Sequence, residues 1–132
     1  MLPAAHLFEY AVLRAVPRVE REEFVNVGVV LFCAGQRFLE AAYAFDDKAE
    51  ARLRAFAGPD FDLAGLAARL DAIARVCRGG AGGGVIGQLP LAGRFRWLTA
   101  QRSTVVQTSA VHPGLCLDAA ATLARLRGQL VG

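Results

Sequence analysis

Arg14, Arg21, Glu22, Glu23, Asn26 and Gly28 are residues whose types and spacing could build a polar site. A guanidinium, a carboxylate and an amide around the gap left by a glycine could bind a polar ligand or a partner's backbone. Read at period two, Glu22 shares the face of Asn26 and Gly28 while Glu23 points the other way. Arg14 or Tyr10, on a preceding strand, could stand beside that face. The competing reading is structural: Glu22 and Arg14 pair at a strand end while Asn26 satisfies a bulge marked by Gly28. No second acid is spaced for paired general acid and base work, so no catalytic residue is assigned.

A second constellation is Arg94, Arg96, Trp97 and Arg102. Guanidinium groups neutralise phosphates while an indole face stacks a base, the pattern of single-strand nucleic-acid binders. If the segment is extended, Arg94 and Arg96 share a face opposite Phe95 and Trp97. The bland alternative makes Trp97 a core anchor beneath solvated arginines. Charge is unevenly placed: residues 1–66 carry seven basic and ten acidic groups, residues 67–132 eight basic and two acidic, with no acid between Asp71 and Asp118. A GC-rich genome would also produce such an arginine-rich, alanine-rich composition.

Other chemistry is thinly represented. Cys33, Cys77 and Cys116 lie 44 and 39 residues apart with no C-x-x-C pair, so buried, reduced thiols are expected and no metal site is assigned. His6 and His112 form no ligand motif, and no cofactor is expected. Six glycines fall between Gly79 and Gly87, but no Lys-Ser or Lys-Thr follows and no strand precedes them, so a flexible surface connection is expected instead of a phosphate loop.

The elements that must position these residues are legible from periodicity. Phe24 to Phe32 is nearly unbroken apolar sequence, predicting a central strand covered on both faces. Leu7 to Val16 reads as a preceding strand stopped by Pro17, residues 18–21 as a hairpin loop, and Gln36 to Tyr43 as a third strand. Asp46-Asp47 starts a short helix ending at Gly58-Pro59, and Asp60 or Asp62 caps a longer one carrying the stripe Leu63, Leu66, Leu70, Ile73 and Cys77. Thr104 to Val111 reads as a fourth strand, His112-Pro113-Gly114 as a turn, and Asp118 as the cap of a last helix. The expected fold is one α+β domain over residues 1–132: an antiparallel sheet of about four strands packed by two main helices plus one short helix.

Two segments carry a resemblance. Tyr10 to Arg14 with Arg21-Glu-Glu-Phe-Val-Asn-Val-Gly-Val-Val-Leu-Phe32, and Phe95-Arg-Trp-Leu-Thr-Ala100 with Arg102-Ser103, His112-Pro-Gly-Leu115 and the terminal helix, resemble the domain of unknown function 3037 family. Gln101 stands where related sequences are expected to have proline. The resemblance implies a small bacterial protein with no catalytic residues to carry over, and a role as partner of a HipA-like kinase.

With 132 residues and 55% hydrophobic content, the chain can bury its own core. It has no apolar run of membrane-spanning length and no basic region ahead of a signal core, so the expected setting is the cytoplasm. The favoured function is a non-catalytic protein-interaction or accessory module. The alternative is a nucleic-acid-associated protein or hydrolase using the arginine and tryptophan region.

Overall fold

A strand with apolar side chains on both faces is stable only where both faces are covered. The computed structural model, which describes residues 4–17, 23–100 and 105–131, meets that demand. The elements run β1 (His6–Ala15), β2 (Val25–Cys33), β3 (Phe38–Tyr43), α1 (Asp47–Ala57), α2 (Leu63–Arg78), α3 (Leu91–Leu98), β4 (Val106–Thr108), β5 (His112–Cys116) and α4 (Ala119–Leu130). The strands form one antiparallel sheet in the order β3-β2-β1-β4, with β5 pairing along the other half of the same β1 edge. Thus β2 is interior. Val30 and Phe32 enter a core with Leu53 of α1, Leu66 and Leu70 of α2 and Phe95 of α3. Val29, Leu31 and Cys33 pack on the opposite side against Leu123 and Leu126 of α4.

The alternation is broken once. The pairing of β1 with β2 slips between Leu13 and Arg14, so that Leu13 faces Gly28 while Arg14 faces Asn26 and Val27 is the extra residue. Such a bulge puts two successive residues on one side. Val27 therefore joins the core beneath α2 instead of sharing the α4 side with Val29 and Leu31. Asn26 and Gly28, expected on one face, are consequently on opposite faces.

Helix boundaries follow from caps. The Ala49 amide donates to Asp46 Oδ1 at 2.8 Å, the Gly65 amide to Asp62 Oδ1 at 2.9 Å and the Ala121 amide to Asp118 Oδ1 at 3.3 Å. Of the two candidates for the α2 cap, Asp62 is the one that serves. Gln36 ties the entry of α4 to the sheet: its Nε2 donates to the Leu117 carbonyl and its Oε1 accepts from the Ala119 amide.

Three local expectations change. The Arg94–Trp97 stretch is helical, not extended, because Leu91, Phe95 and Leu98 at i, i+4 and i+7 give α3 its own buried stripe, with Phe95 stacked on Phe32 at 5.4 Å. The fourth strand stops at Thr108, where the Ser109 hydroxyl accepts the Val12 amide at 2.8 Å in place of a ladder bond. His112-Pro113-Gly114 is not a turn but the start of β5: Pro113 is tolerated on an edge strand, and Gly114 leaves the space that the Phe8 ring fills. The connection after α2 is also more ordered than its composition suggests. Gly79 and Gly80 take positive φ, and the Gly80 amide closes the loop on the Gly87 carbonyl at 3.0 Å.

A Cβ added at Gly28 would lie 2.8 Å from both the Ala42 carbonyl oxygen and Tyr43 Cβ, with Leu13 Cδ1 at 3.2 Å. Gly28→Ala should therefore cost about 1–3 kcal/mol through overpacking. Urea unfolding of the variant would show it, and an unchanged midpoint would mean that β2 and β3 are not so closely apposed.

Candidate functional site

The first constellation separates into a helix anchor and a packed interior. Arg14 and Asn26 are cross-strand partners on the α4 side of the sheet. The Asn26 Nδ2 donates to the Leu130 carbonyl at 3.1 Å, and Arg52 Nη1 of α1 donates to the Val131 carbonyl at 3.1 Å. Both satisfy carbonyls that the end of α4 leaves without intrahelical donors. The Arg14 guanidinium lies over the Phe24 ring at 4.0 Å, a cation–π contact. Arg14 Nε and Asn26 Oδ1 are buried without a hydrogen-bond partner, so one donor and one acceptor on paired residues remain unspent. Gly28 adds no recess, since Leu13 and Tyr43 occupy its space from the other face. Arg21 and Glu22 lie outside the described residues, and Glu23 is exposed.

In the second constellation the arginines are largely engaged by protein acceptors. Arg94 Nη1 donates to the Val76 carbonyl at 3.0 Å and the Cys77 carbonyl at 2.7 Å, and its Nε to the Leu89 carbonyl at 2.9 Å. It is a charged cap on the negative end of α2, reached from α3. Arg96 forms a two-pronged ion pair with Glu9 of β1, at 3.0 and 3.1 Å. The Glu9 carboxylate, by hydrogen bond and by charge, holds that guanidinium still more firmly protonated. Helical geometry thus sends Arg94 and Arg96 to different acceptors. Phe95, not Trp97, is the core anchor: Phe95 is fully buried whereas Trp97 keeps 37% of its surface exposed. Arg102 lies outside the described residues.

Trp97 instead borders a cleft of about 190 Å³ between α2, the end of α3 and β4. From α2 it is lined by Arg69, Ala72, Ile73 and Val76. These fall at i, i+3, i+4 and i+7, a stripe that shares Ile73 with the core stripe and runs alongside it. That spacing was available in the sequence, but it is hidden by the stronger leucine pattern next to it.

The thiols and imidazoles have structural surroundings. All three cysteines are free and buried. Burial pushes the Cys77 thiol from its ordinary 9.0 to about 12, outweighing the opposing charge of Arg94. Burial, and after it the neighbouring Cys33, raises Cys116. His112 packs on its cross-strand partner Tyr10 with ring centroids 5.4 Å apart. Among the described residues no group of three or more His, Cys, Asp or Glu could hold a metal ion.

A family model described as a protein of unknown function (DUF3037) matches residues 10–131. The chain belongs to the DUF3037 family. The match spans every helix and all the strands, beginning within β1. No curated protein and no solved structure matches significantly. The DUF3037 description names no activity.

Replacing Arg94 with Met should remove three hydrogen bonds to carbonyls and lower stability by roughly 1–3 kcal/mol, whereas Arg96→Ala, at an exposed pair, should stay within about 1 kcal/mol. Chemical denaturation of the two variants tests this ordering. The Cys77 shift also fixes a sign. Between pH 9.0 and about 12 the folded thiol keeps a proton that the unfolded one releases, so its contribution is full below pH 9.0 and is lost as pH rises toward 12. Unfolding measured at pH 8 and pH 10.5 should show the fall, at up to about 1.4 kcal/mol per unit, and Cys77→Ala should reduce it.

Proposed function

We propose that this protein is a non-catalytic interaction module whose docking surface is centred on Leu7 and Leu115. These two leucines are cross-strand partners of β1 and β5 and keep 62% and 70% of their surface exposed; Leu117, just past β5, keeps 60%. Directly opposed residues of an antiparallel pair project from the same side, so Leu7 and Leu115 form one apolar patch. Burying a leucine fully is worth about 1.5–3 kcal/mol, and a patch of this kind next to charged groups has the layout of an interface core with a polar rim. The Glu9–Arg96 pair supplies that rim, because Glu9 lies two residues beyond Leu7 on the same face. Pro113 removes one backbone donor from the β5 edge, which favours recognition by side chains over addition of a partner strand.

The occupant that fits is a partner protein presenting an apolar face, with a HipA-like kinase, the partner implied by the family resemblance, as the first to try. Nucleic acid is less favoured because Arg94 and Arg96 already hold protein acceptors. No helix among the described residues is long and apolar enough to cross a membrane.

Purified wild-type protein and a Leu7→Asp/Leu115→Asp variant, both verified as folded, should be compared by sedimentation with and without the kinase and by capture from the native host. A complex with the kinase or another defined protein, weakened at least about tenfold by the double substitution, is expected. Self-association abolished by the same substitution would reassign the surface to a second copy. Binding that the substitution leaves unchanged would overturn the proposal.

A further inference from the structure

The cleft between α2, α3 and β4 has a composition that selects a ligand. Its walls are mostly apolar, with Ala72, Ile73 and Val76 on one side, Val106 on the other and the Trp97 indole closing it, while Gln107 and Thr108 add polar lining from β4. The charged side chain at the cleft is Arg69, which forms no ion pair among the described residues. No acid lines it. Asp71, the nearest acid in the sequence, is paired with Arg75 at 3.2 Å. No further acid follows until Asp118, so α3 and β4 are assembled from acid-free sequence. Among the described residues the cleft therefore combines a largely apolar body with a positive charge that no acid balances.

We infer that this cleft binds a small carboxylate carrying a single ring or a branched alkyl group, with Arg69 holding the carboxylate and Trp97 packing on the apolar body. Size sets the ligand class. An apolar cavity of about 150 Å³ accepts a benzene ring, so the roughly 190 Å³ here admits one ring and a short side chain. A guanidinium offers two parallel donors to a carboxylate, a geometry that an uncharged isostere cannot exploit equally. The inference is independent of the leucine surface on β1 and β5, and either can fail alone.

Trp97 is the sole tryptophan, so its fluorescence reports on the cleft directly. Phenylacetate, isovalerate and 4-phenylbutyrate should be titrated into the full chain beside the uncharged phenylacetamide, with saturation-transfer NMR as a second readout. At least one carboxylate should give a saturable response with Kd on the order of 1 mM or tighter. The amide should bind about tenfold more weakly than phenylacetate, and Arg69→Ala should weaken the carboxylate by a similar factor. Arg69→Lys should restore part of the loss, and Ala72→Phe, which fills the cleft, should abolish binding. Arg69 is exposed, so its variants test the charge contact even where Ala72→Phe compromises folding. Equal binding of acid and amide, an unchanged Kd in Arg69→Ala, or no saturable response from any of the three carboxylates would overturn the inference.

Discussion

The structure depends on one requirement: β2 is apolar on both sides, so the sheet must be roofed twice. The helices α1, α2 and α3 contribute Leu53, Leu66, Leu70 and Phe95 to one roof, while α4 provides Leu123 and Leu126 to the other. Neither roof would suffice alone, because the uncovered face would leave several large side chains in water at about 1.5–3 kcal/mol each. The Val27 bulge reconciles this double burial with the polar end of the strand. It keeps Val27 in the core while turning Asn26 toward the end of α4.

Each roof is also fastened at its carbonyl end. Arg94 reaches from α3 to the last turn of α2, and Asn26 and Arg52 reach from β2 and α1 to the end of α4. These bonds join residues 17 to 104 positions apart in sequence, so they specify how helices seat on the sheet as well as satisfying orphan acceptors. The same fastening removes Arg94 from the pool of exposed cations. Arg96 is withdrawn in another way, by the acid on β1 that lies nearest to the leucine patch.

What remains on the surface falls into two regions of different chemistry. The β1–β5 end presents leucines beside a neutralised ion pair, suited to a broad apolar contact. The α2–α3–β4 cleft is concave and largely apolar, with Arg69 among its lining residues. The acid-free stretch between Asp71 and Asp118 supplies two of the cleft's walls, α3 and β4.

Periodicity and caps alone determined the three long strands, the two long helices, the short first helix and the interior position of β2. Each of these carries a strong local signal: continuous β-branched sequence, a leucine stripe, or an Asp at a helix start. The segments read differently lacked such a signal. In α3 only eight residues carry the stripe, and Pro113 and Gly114 have turn chemistry that an edge strand overrides because one needs no ladder donor there and the other makes room for Phe8. Tertiary structure decided the rest. Which face receives Asn26, which carbonyls claim Arg94, and which leucines stay in water depend on the bulge and on contacts between distant segments. Local spacing carries no information about a neighbour that arrives a hundred residues later.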